Sequence, residues 1–233
     1  MNIPDYIEFL RKAINNVNEV YYGSQDWVIS MLNAHGIGDE DPRREQLMPY
    51  LTRYHERVFC YELYHQFRKI MEQNNLTEKV ILQAELRKSQ VGKEIEQLFS
   101  IQSTDAIYYP DFLIHEPGTF DHQDLIIEVK ANPKVTREEM QNDLLKIDQF
   151  ISRYHYEKGI FLAININDDK RNQLTTNPEF LHFLENQIEN KTKILLMFRE
   201  SAKKSTVSIN AAKLCKDSER YKRNTVKSAL KRI

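Results

Sequence analysis

The sequence has few residues of the kinds that build disulfide scaffolds, zinc sites or membrane spans. Its two cysteines, Cys60 and Cys215, form no CxxC pair. This argues against structural zinc and against a disulfide framework, and is typical of a protein from a reducing compartment. No apolar run approaches the roughly 18 residues of a membrane span. The amino-terminal stretch also lacks the apolar segment of a signal peptide, so a cytoplasmic protein is expected.

An excess of charge of one sign is also missing, as are the glycine motifs of several enzyme classes. The net charge is −1, so no overall field draws the chain to nucleic acid or to a membrane. The patterns GxxxxGK[ST], GxGxxG and GxSxG do not occur. An ATP-driven motor, a dinucleotide enzyme and a serine hydrolase are therefore unsupported. With 41% hydrophobic residues among 233, the chain can still bury a sizeable core.

Apolar periodicity predicts an α/β chain in three parts. Residues 1–48 are predicted to form an N-terminal helical appendage, which ends near the loop sequence GIGDEDPRRE. Residues 49–200 are predicted to form the main domain, in the order long helix, three strands, helix, strand, helix and strand. Pro117 and Gly118 between the second and third strands indicate a hairpin and thus a mixed sheet. Residues 201–233 are expected to form a basic helical tail.

Charged residues stand among the apolar residues of two predicted strands. Asp111 lies in YYPDFLIHE, and Glu128 and Lys130 lie in DLIIEVKAN. Side chains alternate along a strand, so Glu128 and Lys130 share a face, and a hairpin can place Asp111 beside Glu128. Two neighbouring carboxylates repel each other unless one is protonated or a cation lies between them. Mg²⁺ takes carboxylate, water and phosphate oxygens, so the pattern predicts a Mg²⁺ site that acts on a phosphodiester.

A third acid is expected from a neighbouring element, and two residues are candidates. Glu62 lies within or beside the apolar stripe of the long helix, which includes Phe59, Leu63 and Phe67. An acid on the buried face of a helix needs a partner, and a shared cation would be one. Glu85, on the first predicted strand, is the alternative. The sequence leaves this choice open.

The sequence PD at 110–111, followed by EVK at 128–130, resembles the motif of the PD-(D/E)xK phosphodiesterase superfamily. The order of predicted elements is similar to its restriction-endonuclease-like αβββαβ core, with a mixed central sheet flanked by helices. The resemblance covers roughly residues 55–200. It implies a Mg²⁺-dependent nuclease, with Mn²⁺ as a substitute for Mg²⁺, that hydrolyses DNA in defence against foreign DNA or in repair.

The resemblance also implies roles for individual residues. The implied metal ligands are Asp111, Glu128, the Val129 carbonyl and Glu62. Lys130 is the implied catalytic lysine, which would position the attacking water or offset charge in the transition state.

The implied partner is nucleic acid, with DNA expected before RNA. The chain is expected to act as a homodimer or as a subunit of a larger defence or repair complex. The candidates for contact with its backbone are Lys146, in the helix after the EVK motif, and Lys222, Arg223 and Lys227 in the basic tail. Three alternatives stay open: a structural salt-bridge network, a catalytically inactive binding or assembly module, and a ribonuclease. The intact set of two acids and a lysine speaks against an inactive copy.

Overall fold

The computed structural model describes residues 6–23, 25–51, 56–77, 80–86 and 92–216. The strands are β1 (Ile81–Ala84), β2 (Phe112–His115), β3 (Gln123–Lys130), β4 (Lys158–Ile164), β5 (Ile194–Arg199) and β6 (Val207–Asn210). The α-helices are α1 (Tyr6–Asn16), α2 (Gln25–Ala34), α3 (Pro42–Leu51), α4 (Glu56–Gln73), α5 (Lys93–Phe99), α6 (Arg137–Arg153), α7 (Asp168–Thr175) and α8 (Pro178–Gln187). A 3₁₀ turn spans Glu19–Tyr22, and residues 211–216 are also helical.

The six strands form one open mixed sheet in the order β1-β2-β3-β4-β5-β6. Strands β1, β2 and β3 are antiparallel neighbours, β3, β4 and β5 run parallel, and β6 is antiparallel to β5. The predicted α/β class and mixed sheet are confirmed, and so is the hairpin between β2 and β3. Gly118 in its turn has φ +79°, a left-handed conformation that glycine adopts without strain.

Helices cover both faces of the sheet because the central strands are apolar on both sides. Ile127 and Val129 pack in one core layer with residues of α1 and α4. Ile126, which alternates with them, packs in the other layer with residues of α6 and α8. Because α1 lies in the same layer as α4, residues of the predicted N-terminal appendage contribute directly to the core of the sheet domain.

Helix α6 is fixed at its start and packs closely on β4. Thr136 and Glu139 form the predicted capping box, in which each side chain accepts a hydrogen bond from the backbone N–H of the other residue. Further along, Ile147 lies so close to Gly159 of β4 that a Cβ atom added at that glycine would be 2.1 Å from Ile147 Cγ2. These contacts set the position of the polar residues that α6 carries beside β3.

Some predicted boundaries differ from the structure. Part of the predicted loop at 36–45 is helical, because α3 begins at Pro42, and Pro49 lies inside α3 instead of starting the long helix. The ten residues of α3 are all described and none is buried, so the helix leaves no apolar stripe for periodicity to detect. Helices α5 and α7 were not predicted, and strand β6 lies in the stretch expected to be a helical tail, where only residues 211–216 of the described part are helical. Within the described ranges, no helix combines the length and apolarity needed to cross a bilayer.

Candidate active site

Asp111 and Glu128 lie at neighbouring strands, where β2 begins and β3 ends. The register pairs Phe112 with Ile127, so Asp111, one residue before β2, lies opposite Glu128. The backbone N–H of Val129 donates a hydrogen bond to Asp111 Oδ2 at 2.7 Å, which holds that carboxylate against β3. The structure therefore brings together the two acids that the sequence predicted to be neighbours.

Glu128 is only 1% exposed, and its two carboxylate oxygens have different surroundings. Oε2 accepts a hydrogen bond from Lys146 Nζ at 2.6 Å. Oε1 is buried and has no hydrogen-bond partner among the described residues. Burial raises the pKa of the Glu128 carboxyl well above its usual value, Lys146 opposes this rise, and Asp111 and Asp143 add to it. A buried carboxylate oxygen without a partner is unfavourable, and a bound cation would relieve this.

Asp111 has its own perturbed environment. Burial raises the pKa of its carboxyl to about 6, against the hydrogen bond from the Val129 N–H, which lowers it. The nearby Glu56 carboxylate raises this pKa further, while Lys130 and Lys146 lower it. Above about pH 6 the group is therefore a carboxylate that is available to a cation, at the edge of the buried cluster.

Lys130 projects from the end of β3 and contacts acids from both flanking helices. Its Nζ atom lies 3.1 Å from Asp143 Oδ2 of α6 and 3.8 Å from Glu56 Oε1 of α4. It also donates to the Val129 carbonyl at 3.5 Å. Burial acts to lower the pKa of this lysine, but Asp143 and Glu56 outweigh it and the pKa is raised. Lys130 is thus held as an ammonium group between Asp143 and Glu56.

Asp143 links the two lysines of the cluster. Its Oδ1 atom lies 3.4 Å from Lys146 Nζ, and its Oδ2 atom faces Lys130. Oδ2 accepts no well-directed hydrogen bond from a described residue, so Lys130 acts on it through its charge. Lys146 was predicted as a contact for nucleic acid, and the structure places its ammonium inside the acidic cluster.

Sequence reasoning missed Glu56 and proposed Glu62 in its place. Glu56 is the first residue of α4, and its Oε2 atom accepts a hydrogen bond from the Ala131 N–H at 3.2 Å. Glu62, six residues later, points about 120° away from Glu56 around the helix, at 100° per residue. Its Oε1 atom accepts a hydrogen bond from Gln66 at 2.6 Å. The acid of α4 that reaches the cluster is therefore Glu56.

A cavity of about 540 Å³ opens beside Asp111, between α4, β1 and the start of β2. Glu85, the alternative third acid, lines it together with Glu56. The backbone N–H of Glu85 donates to the Asp111 carbonyl at 3.2 Å, and its carboxylate pairs with Arg57 at 3.4 Å. Cys60 also lines the cavity. Burial, with smaller contributions from Asp111 and Glu56, raises the pKa of its thiol, which makes Cys60 a poor nucleophile.

Asn165, just after β4, holds the end of β3 in place through a hydrogen bond. Its φ of +65° is a left-handed conformation that asparagine tolerates better than most residues. Its Nδ2 atom donates to the carbonyls of Ala131 and Tyr22, each at 2.9 Å. Ala131 follows Lys130, so Asn165 fixes the backbone from which the lysine projects.

The oxygen atoms near the end of β3 are of the chemical kind that Mg²⁺ takes as ligands. Asp111 and Glu128 supply carboxylates, and the carbonyl of Val129, the residue after Glu128, is a further oxygen nearby. Mg²⁺ commonly uses one or two carboxylates and completes its shell with waters and substrate phosphate. Within the described part of the chain, no group of three or more His, Cys, Asp or Glu residues is arranged to hold a metal. A cation here would therefore depend on water and substrate for the rest of its ligands.

Three candidates for contact with nucleic acid, Lys222, Arg223 and Lys227, lie outside the described residues. The other predicted site residues lie in or near the cluster, apart from Glu62. Comparison of the chain with protein-family models, with curated proteins and with solved structures gave no match.

Proposed function

We propose that the chain is a Mg²⁺-dependent deoxyribonuclease of the PD-(D/E)xK type that hydrolyses phosphodiester bonds. The observation that supports this best is the pair of neighbouring acids, Asp111 and Glu128, with one Glu128 oxygen buried and without a hydrogen-bond partner among the described residues. The order of elements adds support, because α4, the antiparallel β1–β3, α6 and the parallel β4 follow the αβββαβ order of that superfamily, with the short helix α5 inserted between β1 and β2. A cytoplasmic role in defence or repair belongs to the same proposal.

In this proposal Asp111, Glu128 and the Val129 carbonyl would hold the cation. Mg²⁺ bound there would supply a Lewis acid for the phosphoryl oxygen and would lower the pKa of coordinated water. Lys146 favours the ionised form of Glu128, because its ammonium lies 2.6 Å from Oε2 and opposes the rise in pKa that burial causes. Lys130 places a second ammonium beside the acids, where it offsets the negative charge that develops on the phosphate.

Glu56 and Asp143 are positioning residues for Lys130. They approach its ammonium from opposite helices, at 3.8 and 3.1 Å. A lysine held between two acids has fewer rotamers available, so its charge stays at one place in the site. This fixed placement is what electrostatic stabilisation of a transition state requires.

The same ion pairs would also occur in a purely structural network, and one feature favours catalysis over that alternative. A buried ion pair contributes little to stability when compared with apolar residues of similar size. In this cluster the pairing is also incomplete, because Lys146 satisfies Glu128 Oε2 and leaves Oε1 unsatisfied among the described residues. A cation-binding site would explain why Glu128 Oε1 has no hydrogen-bond partner among the described residues.

The test is a cleavage assay with plasmid, linear duplex DNA, single-stranded DNA and RNA, in Mg²⁺, Mn²⁺ or EDTA. We expect the parent protein to cut DNA only with metal. Asp111→Asn, Glu128→Gln and Lys130→Met should each lower the rate by about 100-fold or more. Glu56→Gln should lower it less, because Glu56 acts through Lys130.

Glu62→Gln is the matched control, since it removes an acid of the same helix that lies outside the cluster. It should cut DNA like the parent protein. Circular dichroism and thermal melts establish that each variant is folded. The proposal fails if no substrate is cut, or if Asp111→Asn and Glu128→Gln cut as well as the parent. Cleavage of RNA alone would reassign the site to a ribonuclease.

A further inference from the structure

We propose that the cavity beside Asp111 binds one unpaired nucleobase, so that the substrate is single-stranded or locally unpaired nucleic acid. The assignment rests on the proposed function, since it names the substrate class of the same site. The cavity measures about 540 Å³ and shares Asp111 with the acidic cluster. Small-molecule sites commonly measure about 300 to 1,000 Å³, so the cavity can hold a base.

Two exposed tyrosines line this cavity, together with the buried Phe112. Tyr61 on α4 is 60% exposed and Tyr109, shortly before β2, is 55% exposed, and both line the cavity. Tyr108 has a different role, because its ring lies 6.2 Å from that of Phe150. Of the two consecutive tyrosines, Tyr108 therefore packs against Phe150 and Tyr109 lines the cavity. Exposed aromatic rings in single-strand binding proteins stack on bases of any sequence.

The charge of the cavity favours a base over a phosphate. Glu56, Glu85 and Asp111 line it, with Arg57 as a counter-charge paired to Glu85 at 3.4 Å. Among the described lining residues, this excess of carboxylates repels a phosphate, whereas a nucleobase is neutral. Carboxylates also accept hydrogen bonds from exocyclic amino groups of bases, as they do from cytosine N4. The phosphate is then left at the Asp111–Glu128 side, where the proposed cation would neutralise it.

A base can enter this cavity only when it is free of its partner strand. In a duplex the base is stacked and paired, and its extrusion costs a few kcal/mol. A single strand or a mismatch avoids most of that cost. Because Asp111 belongs both to the cavity and to the acidic cluster, a bound base sets the register of the neighbouring phosphodiester. The geometry therefore points to cleavage next to an unpaired nucleotide.

The first test measures binding in EDTA, where no cleavage is expected. Fluorescence anisotropy of labelled single-stranded DNA, duplex DNA and single-stranded RNA is compared for the parent protein, Tyr61→Ala and Tyr109→Ala. Tyr50→Ala is the matched control, because Tyr50 is a 69% exposed tyrosine that does not line the cavity. The parent should bind single strands at least about tenfold more tightly than duplex. Each cavity variant should weaken single-strand binding about tenfold and leave duplex binding unchanged, and Tyr50→Ala should bind like the parent.

The second test measures cleavage in Mg²⁺ of the same oligonucleotides and of a duplex with one mismatch. Single strands and the mismatch should be cut faster than the perfect duplex. If perfect duplex is bound and cut as well as single strands, and Tyr61→Ala and Tyr109→Ala match the parent, the base site is wrong and the nuclease stands. If single strands bind through the two tyrosines but nothing is cut, the base site stands and the nuclease is wrong. No binding to any nucleic acid would overturn both the base site and the nuclease. The comparison of single-stranded RNA with single-stranded DNA decides which sugar the site accepts.

Discussion

Lys146 Nζ lies 2.6 Å from Glu128 Oε2, so the most buried acid of the cluster is paired with a lysine from the neighbouring helix. The pair favours the ionised form of this carboxylate, whose side chain is 2% exposed, against the burial that raises its pKa. Asp143, one turn before Lys146 on α6, lies 3.4 Å from the same ammonium. The lysine thus neutralises part of the charge that a divalent cation would otherwise have to balance alone.

Lys146→Met should lower the free energy of unfolding in EDTA at pH 7 by about 3 kcal/mol. Loss of one partner leaves the Glu128 carboxylate buried without compensation, which costs about 3–5 kcal/mol. The lower end applies because burial raises the pKa of Glu128 and allows it to take up a proton. Urea denaturation followed by circular dichroism measures the change.

The double variant Glu128→Gln/Lys146→Met is the control for that experiment. Because both charges are removed, it should recover most of the stability that Lys146→Met loses. The two changes should therefore be strongly non-additive, as expected for residues in direct contact. If the losses of the two single variants add up in the double variant, Glu128 and Lys146 are not energetically coupled.

The stability of the metal-free protein should fall with rising pH through the titration of Asp111. Burial raises the pKa of this carboxyl from 3.8 to about 6 in the folded protein. Between these values the folded state binds more protons than the unfolded state, so the free energy of unfolding decreases as pH rises. The stability contributed by the bound proton is complete below about pH 4 and is lost as pH passes 6.

Asp111→Asn removes this titration and is the comparison. The stability of the parent protein relative to the variant should fall by roughly 2 kcal/mol between pH 4.5 and 7.5 in EDTA. Urea denaturation of both proteins at the two pH values measures this. A difference between the two proteins that does not change with pH would contradict the raised pKa.

Gly159→Ala should destabilise the protein by about 2 kcal/mol or more. A new Cβ atom would lie 2.1 Å from Ile147 Cγ2 and 3.3 Å from Ile151 Cδ1, and the first of these is a branch that cannot simply swing away. Gly38→Ala is the control, because no atom lies within 4 Å of its added Cβ. Thermal melts of the two variants should separate clearly. Equal melting temperatures would mean that α6 does not pack as closely on β4 as described.

Asp148→Ala should lower the free energy of unfolding by about 3 kcal/mol. The buried Asp148 carboxylate of α6 accepts hydrogen bonds from the backbone N–H groups of Glu189 and Asn190, at 3.1 and 2.8 Å. Removing it leaves those donors without their acceptor, at about 1–3 kcal/mol for each unsatisfied buried group. Asp148→Asn keeps one acceptor oxygen and should lose less in urea denaturation. A larger loss for Asn than for Ala would contradict this role.

Strong apolar runs made the central part of the fold predictable. The strands β3, β4 and β5 are rich in Ile, Leu, Val and Phe, and the capping box at Thr136 and Glu139 marked the start of α6. The short edge strand β6 escaped prediction because its four residues are partly exposed and alternate weakly. Helix α3 escaped because it has no buried face.

The candidate site was predictable where a motif supplied its residues, and unpredictable where tertiary contacts did. Asp111, Glu128 and Lys130 follow from strand alternation and from the motif. Glu56 was missed although it lies three residues before Phe59, on the extension of the same stripe. Asp143 was missed although it falls on the buried stripe of α6. In both cases an acid at the end or edge of an apolar face was the available signal, but only the packing shows which acid reaches the lysine.

Titration calorimetry with Mn²⁺ at pH 7.5 measures whether Asp111 and Glu128 share a cation. The parent protein and Glu62→Gln should each bind one or two ions saturably, and Asp111→Asn and Glu128→Gln should lose that binding while they remain folded. No saturable binding to the parent protein, or equal binding by Asp111→Asn, would show that these two acids do not form a metal site.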